Sequence, residues 1–414
     1  MHQTWPQDSE RSTDQPAQGS NNPPPPPPGP QPRDRQPKRF GWPTLLASVA
    51  VAALLAGGAG GLAVNYLGST TAEDTTQQTP QLNRTDDVTP TSEAAAIASP
   101  SVVTLSVGGD QAEGSGSGVI LDAAGHILTN THVVTLGGQT AAASVLVQTH
   151  DGEVYEAEVV GLDPLSDLAV LKIEAENLTP IELGSAEELN VGDQAVAIGA
   201  PLGLSGTVTE GIISTLDRTI SVASSAVPEE PDTPEQDNPF EFRLPDQPEP
   251  PAAQGQIHLN VIQSDAAINP GNSGGALVDQ AGRLIGINVA IATRTEGNVG
   301  LGFAIPVDYA QRVAQEIIET GEASHGMLGV IIVPAGDQYV SSGARVVEVV
   351  EDGPLDGTQI GADDVIVGID GKSVTDPGSL SATVREYPSG AEVELTVERD
   401  GEEFTETVTL DGTN

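Results

Sequence analysis

From Ile97 onward the chain alternates apolar and polar positions in short runs separated by Gly, Asp and Asn. The runs 101–107, 119–128, 144–149, 154–160, 168–173 and 194–198 have the length and two-residue period of half-buried strands. Short strands at this spacing predict an all-β barrel or sandwich. Two further runs, 208–216 and 257–263, flank a segment without any period. The period then changes: Val313, Ile317 and Ile318 punctuate a predicted helix over 308–319, which Gly321 closes. Beyond it, 326–412 returns to short strands and reads as a second β-rich unit.

The first 96 residues carry a different pattern. Residues 1–41 are polar and proline-rich, with consecutive prolines from Pro23 to Pro28, and such a composition cannot bury a core. Within 42–67, the stretch from Leu45 to Leu67 has no charge. At ~1.5 Å per residue it is long enough to span a hydrocarbon core of ~30 Å as a helix. Arg33, Arg35, Lys38 and Arg39 precede it, and Glu73, Asp74, Asp86 and Asp87 follow. The positive-inside rule then leaves the N-terminus in the cytoplasm and everything after Leu67 outside. A cleaved signal peptide is the competing reading, but the long polar segment before the apolar run favours an uncleaved single-pass anchor. Residues 68–94, rich in Thr, Gln, Asp and Pro, read as a linker.

Composition narrows the chemistry. The chain of 414 residues has no cysteine, so neither disulfides nor thiol chemistry enter. No Cys/His cluster has metal-ligand spacing, and no glycine-rich phosphate loop leads into a helix; the expectation is a protein without metal or cofactor. The formal net charge is −43, which argues against nucleic acid as a partner. An acidic surface suits either molar salt, where the Debye length falls to ~3 Å, or an ordinary acidic secreted protein. Residues 221–256 interrupt the strand pattern with prolines and eight acidic residues against one arginine. They read as a disordered acidic insertion or as a gating loop.

Candidate nucleophilic chemistry centres on Asn269-Pro270-Gly271-Asn272-Ser273-Gly274-Gly275. A serine between glycines, on a tight turn, lets backbone N–H groups approach a developing oxyanion with no Cβ in the way. Two upstream stretches supply partners. Thr129-Asn130-Thr131-His132-Val133-Val134 places a histidine at the end of an apolar run, and Asp163-Pro164-Leu165-Ser166-Asp167-Leu168-Ala169-Val170-Leu171 places two aspartates at the mouth of another. A nucleophile, a base and an orienting acid together are far more specific than any one of them.

These three stretches, in the order His, Asp, Ser, resemble the HtrA/Deg family of trypsin-fold serine proteases over roughly residues 95–412. The resemblance implies a mainly β fold: a chymotrypsin-like double β-barrel protease domain (95–320) followed by a PDZ domain (326–412), here behind one N-terminal transmembrane helix. It implies Ser273 as nucleophile, His132 as general base and acid, and Asp167 as the residue orienting the imidazole, with Asp163 as runner-up. The N–H groups of Gly271 and Ser273 resemble the oxyanion hole. Ala267, six residues before the serine, stands where trypsin-like enzymes select Lys or Arg with an acid. With Asn288, Val289 and Ala290 it implies an uncharged pocket for a small or medium aliphatic side chain. Met327, Leu328, Gly329 and Val330 resemble the carboxylate-binding loop of the PDZ domain, and 379–387 its groove helix, with Leu380, Thr383 and Val384 facing either groove or core. The implied partners are unfolded proteins or peptides at the protease, C-terminal peptides at the PDZ domain, and two further copies in a homotrimer. Different functional classes remain open beside the protease: a peptide-binding chaperone or scaffold with a mostly inactive protease fold, and an esterase using the same serine.

Overall fold

The computed structural model describes residues 88–413, apart from 110–111, 141–142, 201–205, 227–255, 291–299 and 337–341. The expected tail, the membrane span at 42–67, the linker up to residue 87 and most of the 221–256 insertion lie outside the described residues. Among the described residues no helix is long and apolar enough to cross a membrane.

Two closed six-stranded barrels follow one another. The first comprises β1 (Val102–Gly108), β2 (Glu113–Ile120), β3 (His126–Thr129), β4 (Ser144–Gln148), β5 (Val154–Asp163) and β6 (Leu168–Lys172), in the order β1-β2-β3-β6-β5-β4. The second comprises β7 (Gln194–Gly199), β8 (Thr207–Ala223), β9 (Gln256–Ser264), β10 (Ala276–Val278), β11 (Leu284–Val289) and β12 (Gly302–Pro306), in the order β10-β11-β12-β9-β8-β7. Each barrel has its own apolar filling. Leu105, Ile127, Val147 and Leu171 belong to the first, and Ile213, Ile262, Leu277 and Ile285 to the second. A third cluster, including Val119, Leu128, Val196, Val261 and Ile287, joins the two. Among the described residues Phe303 is the one fully buried aromatic of these cores, with Tyr155 and Tyr309 packed at their margins, so packing is carried by Val, Ile, Leu and Ala.

Two elements depart from the sequence pattern. The run 119–128 is not one strand but a hairpin. Asp122 turns the chain by accepting the N–H groups of Gly125 and His126 at 3.0 and 3.1 Å, and Gly125 takes a positive φ of 99°. Residues 90–94, read as the end of the linker, belong instead to helix α1 (Pro90–Ala98). Thr89 caps it by accepting the Ser92 N–H at 3.2 Å, and Ala94, Ala95 and Ala98 are buried.

A helix then leads out of the second barrel. Helix α3 (Val307–Thr320), numbered after the short α2 (Thr131–Val134), buries Ala310, Val313, Ala314 and Ile317 and ends at Gly321, φ 89°. After it, β13 (His325–Met327) pairs with β20 (Asp411–Thr413). A sheet runs β14 (Val330–Pro334), β15 (Ala344–Val349), β16 (Val365–Ile369), β18 (Glu392–Arg399) and β19 (Glu402–Thr409), with β17 (Lys372–Ser373) beside β16. Helix α4 (Pro377–Glu386) carries a capping box between Asp376 and Ser379. Leu380 and Val384 of α4 join the core of this sheet. Thr383 faces the other way: its hydroxyl accepts from Asn260 Nδ2 of β9 at 3.0 Å, and the same nitrogen reaches Glu386 at 2.8 Å.

Candidate active site

Two successive turns build the serine loop. The Asn272 N–H returns to the Asn269 carbonyl at 2.9 Å, with Pro270 and Gly271 between them and Gly271 at φ 98°. The Gly275 N–H returns to the Asn272 carbonyl at 3.0 Å, with Ser273 and Gly274 between them and Gly274 at φ 79°. Each glycine occupies the position of a type II turn that requires positive φ, and this is why the sequence has glycine there. The backbone N–H groups alternate. Those of Asn272, Gly274 and Gly275 are bonded within the chain, while those of Gly271 and Ser273 have no acceptor among the described residues. Two unbonded donors flanking a bonded one form a cradle for a negatively charged oxygen.

The first barrel braces this loop. Ser117 of β2 donates its N–H to the Ser273 carbonyl at 2.8 Å and its hydroxyl to the Gly271 carbonyl at 2.7 Å. Its Oγ also accepts the Ala200 N–H at 2.8 Å. The glycine-rich run 114–118 lies within β2 and joins the barrels at the serine.

His132 sits on α2, immediately after β3, and Asp167 between β5 and β6. The Asp167 carboxylate receives three donors. These are the His132 Nδ1–H at 2.7 Å, the His132 backbone N–H at 2.9 Å and the Ser225 hydroxyl at 3.3 Å. Asp167 is wholly buried and adopts φ 56°, a left-handed conformation disfavoured for a non-glycine residue. Its carbonyl compensates by accepting Asn130 Nδ2 at 3.0 Å and the Thr131 N–H at 3.1 Å. A buried carboxylate on the Nδ1 side of an imidazole fixes the tautomer and ring orientation and favours the imidazolium.

Asp163 takes a different place. Its carboxylate accepts from Leu165 N–H at 3.1 Å, from the Ser166 hydroxyl, and from His325 Nε2 at 2.9 Å. Beside it the Tyr309 hydroxyl is buried, and that burial, reinforced by the Asp163 charge, pushes its pKa well above the ordinary phenol value.

Of the residues expected to wall a side-chain pocket, Ala267 is half-buried and its carbonyl accepts the Thr209 hydroxyl at 2.9 Å. Asn288 and Val289 are enclosed. The Asn288 amide bonds the Ala276 carbonyl at 2.8 Å, so it presents no side chain to an open pocket, and Val289 belongs to the core between the barrels. Ala290 donates its N–H to Ser273 Oγ at 3.0 Å. At the C-terminal unit, Met327 is exposed, Leu328 is buried, Gly329 has φ 62°, and Val330 opens the edge strand β14. Ser117, Ser225 and His325 touch this machinery without any local signal in the sequence. Among the described residues no cluster of His, Asp and Glu could hold a metal ion.

Comparison with known proteins agrees with this geometry. Residues 116–287 match the family model of a trypsin-like peptidase domain, and 326–410 match that of a PDZ domain. The serine protease PepD of Mycobacterium tuberculosis is 40% identical over 316 residues, covering 73% of this chain and 62% of that protein. A probable periplasmic serine endoprotease, DegP-like, of Halomonas elongata is 37% identical over 302 residues, covering 71% of this chain and 56% of its own length. The chain therefore matches 56–62% of the length of these relatives. Among solved structures, the HtrA-type protease AlgW with tripeptide aligns with a TM-score of 0.56 at 35% identity, covering 78% of this chain and 97% of that one. The serine endoprotease from Yersinia pestis aligns with a TM-score of 0.51 at 30% identity, covering 80% and 100%. The chain belongs to the HtrA/Deg family of trypsin-fold serine proteases with a C-terminal PDZ domain.

Proposed function

We propose that the protein is a membrane-anchored serine endopeptidase that cuts unfolded or damaged proteins outside the cytoplasm. The observation that carries this reading is the buried Asp167 carboxylate holding His132 Nδ1 at 2.7 Å, in a fold that brings Ser273 to the same junction of two barrels. In the reaction, Ser273 Oγ attacks the scissile carbonyl carbon while His132 Nε2 takes the hydroxyl proton. The carbonyl oxygen becomes an oxyanion and accepts the N–H groups of Gly271 and Ser273. Losing one such donor typically costs ~3 kcal/mol. His132 returns the proton to the leaving amine, and water then hydrolyses the acyl-enzyme by the same sequence. Asp167 stabilises the imidazolium formed in both halves. Side chains and backbone supply the whole reaction, without a cofactor.

The uncharged Ala267 supports cleavage after aliphatic residues. The edge strand β14, next to α4 and preceded by the Met327–Val330 segment, supports binding of a peptide C-terminus as an added strand. The apolar stretch within 42–67 supports a single-pass anchor with a cytoplasmic N-terminus and both folded domains outside, and relatives named as periplasmic agree with that side. Assembly as a homotrimer is inherited from the family resemblance.

One observation favours a second reading. Ser273 Oγ accepts the Ala290 N–H, which engages an oxygen lone pair needed for attack. A resting enzyme, or a peptide-binding chaperone that turns over rarely, would have this arrangement. The test is cleavage of an unfolded model protein by residues 69–414 and by their Ser273→Ala variant, with cut sites mapped by mass spectrometry. Cutting after aliphatic residues that vanishes in the variant supports the peptidase. Silence that persists after adding a C-terminal peptide, from folded protein, sinks it in favour of the chaperone.

A further inference from the structure

The residue that binds Asp163 comes from outside both barrels. His325 opens β13, 162 positions along the chain from its partner, and is 1% exposed. Its two ring nitrogens face acceptors on different elements: Nε2 lies 2.9 Å from Asp163 Oδ2, and Nδ1 lies 3.0 Å from the Arg385 carbonyl at the end of α4. The ring therefore bridges the Asp163 carboxylate and the end of α4. A buried imidazole held between two buried polar groups is a directional contact, because a lateral shift of any partner leaves a buried polar group without its hydrogen bond.

Asp163 in turn organises the turn that carries Asp167. Its Oδ1 accepts the Leu165 N–H, its Oδ2 accepts the Ser166 hydroxyl, and its carbonyl accepts the Thr131 hydroxyl at 3.1 Å, one residue before His132. Ser166 immediately precedes the left-handed Asp167, whose φ holds only if its surroundings determine it. The groups around this centre are Tyr309 and Arg312 on α3, and Arg385 and Glu386 on α4. Arg312 lies 5.4 Å over the Tyr309 ring and reaches the Ser324 carbonyl at 3.0 Å, which fixes the chain just ahead of His325.

We propose that His325 is a positioning residue for proteolysis: by clamping Asp163 it fixes the turn that seats Asp167, so the segment joining the two domains supports the catalytic aspartate. This rests on the assignment of His132, Asp167 and Ser273 as the triad. A purely structural staple between domains would change stability alone. A positioning role changes turnover in protein that is still folded.

The test compares the full chain with His325→Ala, His325→Arg, Asp163→Ala and the His325→Ala/Asp163→Ala pair. It reads kcat and KM on an unfolded protein, acylation of Ser273 by a fluorophosphonate, peptide binding at the PDZ domain and the melting midpoint. Misplacement of a catalytic group by about 1 Å costs up to ~10²-fold, and loosening its support is expected to cost about tenfold. His325→Ala should therefore lower kcat and acylation about tenfold, with KM and PDZ peptide binding unchanged. His325→Arg, which offers donors to both acceptors, should recover most of the rate. The double variant should be no slower than the slower single one. Unchanged kcat in folded His325→Ala overturns the proposal, as do losses that multiply in the double variant. Should His325→Ala not fold, Asp163→Ala decides: folded protein with kcat about tenfold down and PDZ binding intact supports positioning, and wild-type kcat with a lowered midpoint overturns it. If wild-type cleavage survives Ser273→Ala, the triad assignment fails, and that outcome is distinct from any of these.

Discussion

Replacing Ser225 by alanine removes the weakest of the three donors on the Asp167 carboxylate. The other two, both from His132, lie at 2.7 and 2.9 Å, whereas the Ser225 hydroxyl lies at 3.3 Å. Ser225 and Asp167 are both wholly buried, so solvent does not take the lost partner's place. A hydrogen bond to an ionised group contributes about 1.5–3 kcal/mol at good geometry. At 3.3 Å it lies beyond the ordinary range for a hydroxyl donor, and about 1 kcal/mol is the appropriate figure. That loss matters most when His132 carries its positive charge, in the transition state, and there it corresponds to about fivefold in rate. The geometry of the imidazole persists, because the His132 N–H and Nδ1–H still hold the carboxylate. Asp167→Asn is the severe contrast, since an amide in that place favours the wrong tautomer and costs on the order of 10⁴. The assay is steady-state cleavage of a peptide with an aliphatic residue before the scissile bond, by wild type and Ser225→Ala, well below both melting midpoints. The expected result is kcat about fivefold lower with KM within about twofold. An unchanged kcat, or a loss carried wholly by KM, would refute the idea that this third donor stabilises the developing imidazolium.

Other perturbations reach the serine loop, the domain junction and the surface. At Gly274 a Cβ would overlap the Ser117 carbonyl and the Thr129 hydroxyl while holding φ 79°, so Gly274→Ala should cost about 2–4 kcal/mol in thermal unfolding and abolish cleavage. Retention of both stability and activity would show that the two turns are not required. Burial first, and the Asp163 charge second, raise the Tyr309 phenol above its ordinary 10.0, so unfolded chains release this proton at a pH where folded chains keep it. That contribution to stability is intact below about pH 10 and is lost as pH rises further, and Tyr309→Phe should flatten the fall of the melting midpoint between about pH 9 and 11. An unaltered slope would remove Tyr309 as its cause. Thr89→Ala should lower stability by about 0.5–1 kcal/mol in chemical denaturation, because it uncaps α1, and no change would mean that buried alanines alone hold that helix. With a formal charge of −43, the protein should melt higher in molar salt than in dilute buffer, and equal midpoints would leave no role for screened self-repulsion.

The triad candidates were legible because each sits in a local pattern: an imidazole after an apolar run, an aspartate before one, a serine between glycines. Locality also sets the limit. Asp163 and Asp167 both stand at the mouth of β6, and sequence spacing favours neither on chemical grounds. What separates them is what each faces, His325 for one and His132 for the other. Ser225 lies 58 positions from Asp167, and the His325 contact spans 162 positions. No period or composition encodes contacts between segments so far apart. The hairpin inside 119–128 was hidden for a related reason: its turn contains Ala123 and Ala124, which count as apolar, and only the Asp122 cap and Gly125 mark the reversal.

The glycine-rich run 114–118 shows why a short motif carries several meanings until its neighbours are known. Glycines in a strand interior weaken it unless something must come close. At Gly116 a Cβ would press on the Val133 side chain, beside His132, and would crowd the Ser273 carbonyl at 3.3 Å. Ser117, next to it, bonds both carbonyls that flank Asn272. The run is therefore short of side chains because β2 forms the floor on which the histidine helix and the serine loop both rest. A larger residue at Gly116 would push His132 and Ser273 apart rather than merely loosen a barrel. The apparent flexibility in the sequence corresponds to close backbone approach in the fold, and the two are told apart by the residues packed against the strand, not by the strand itself.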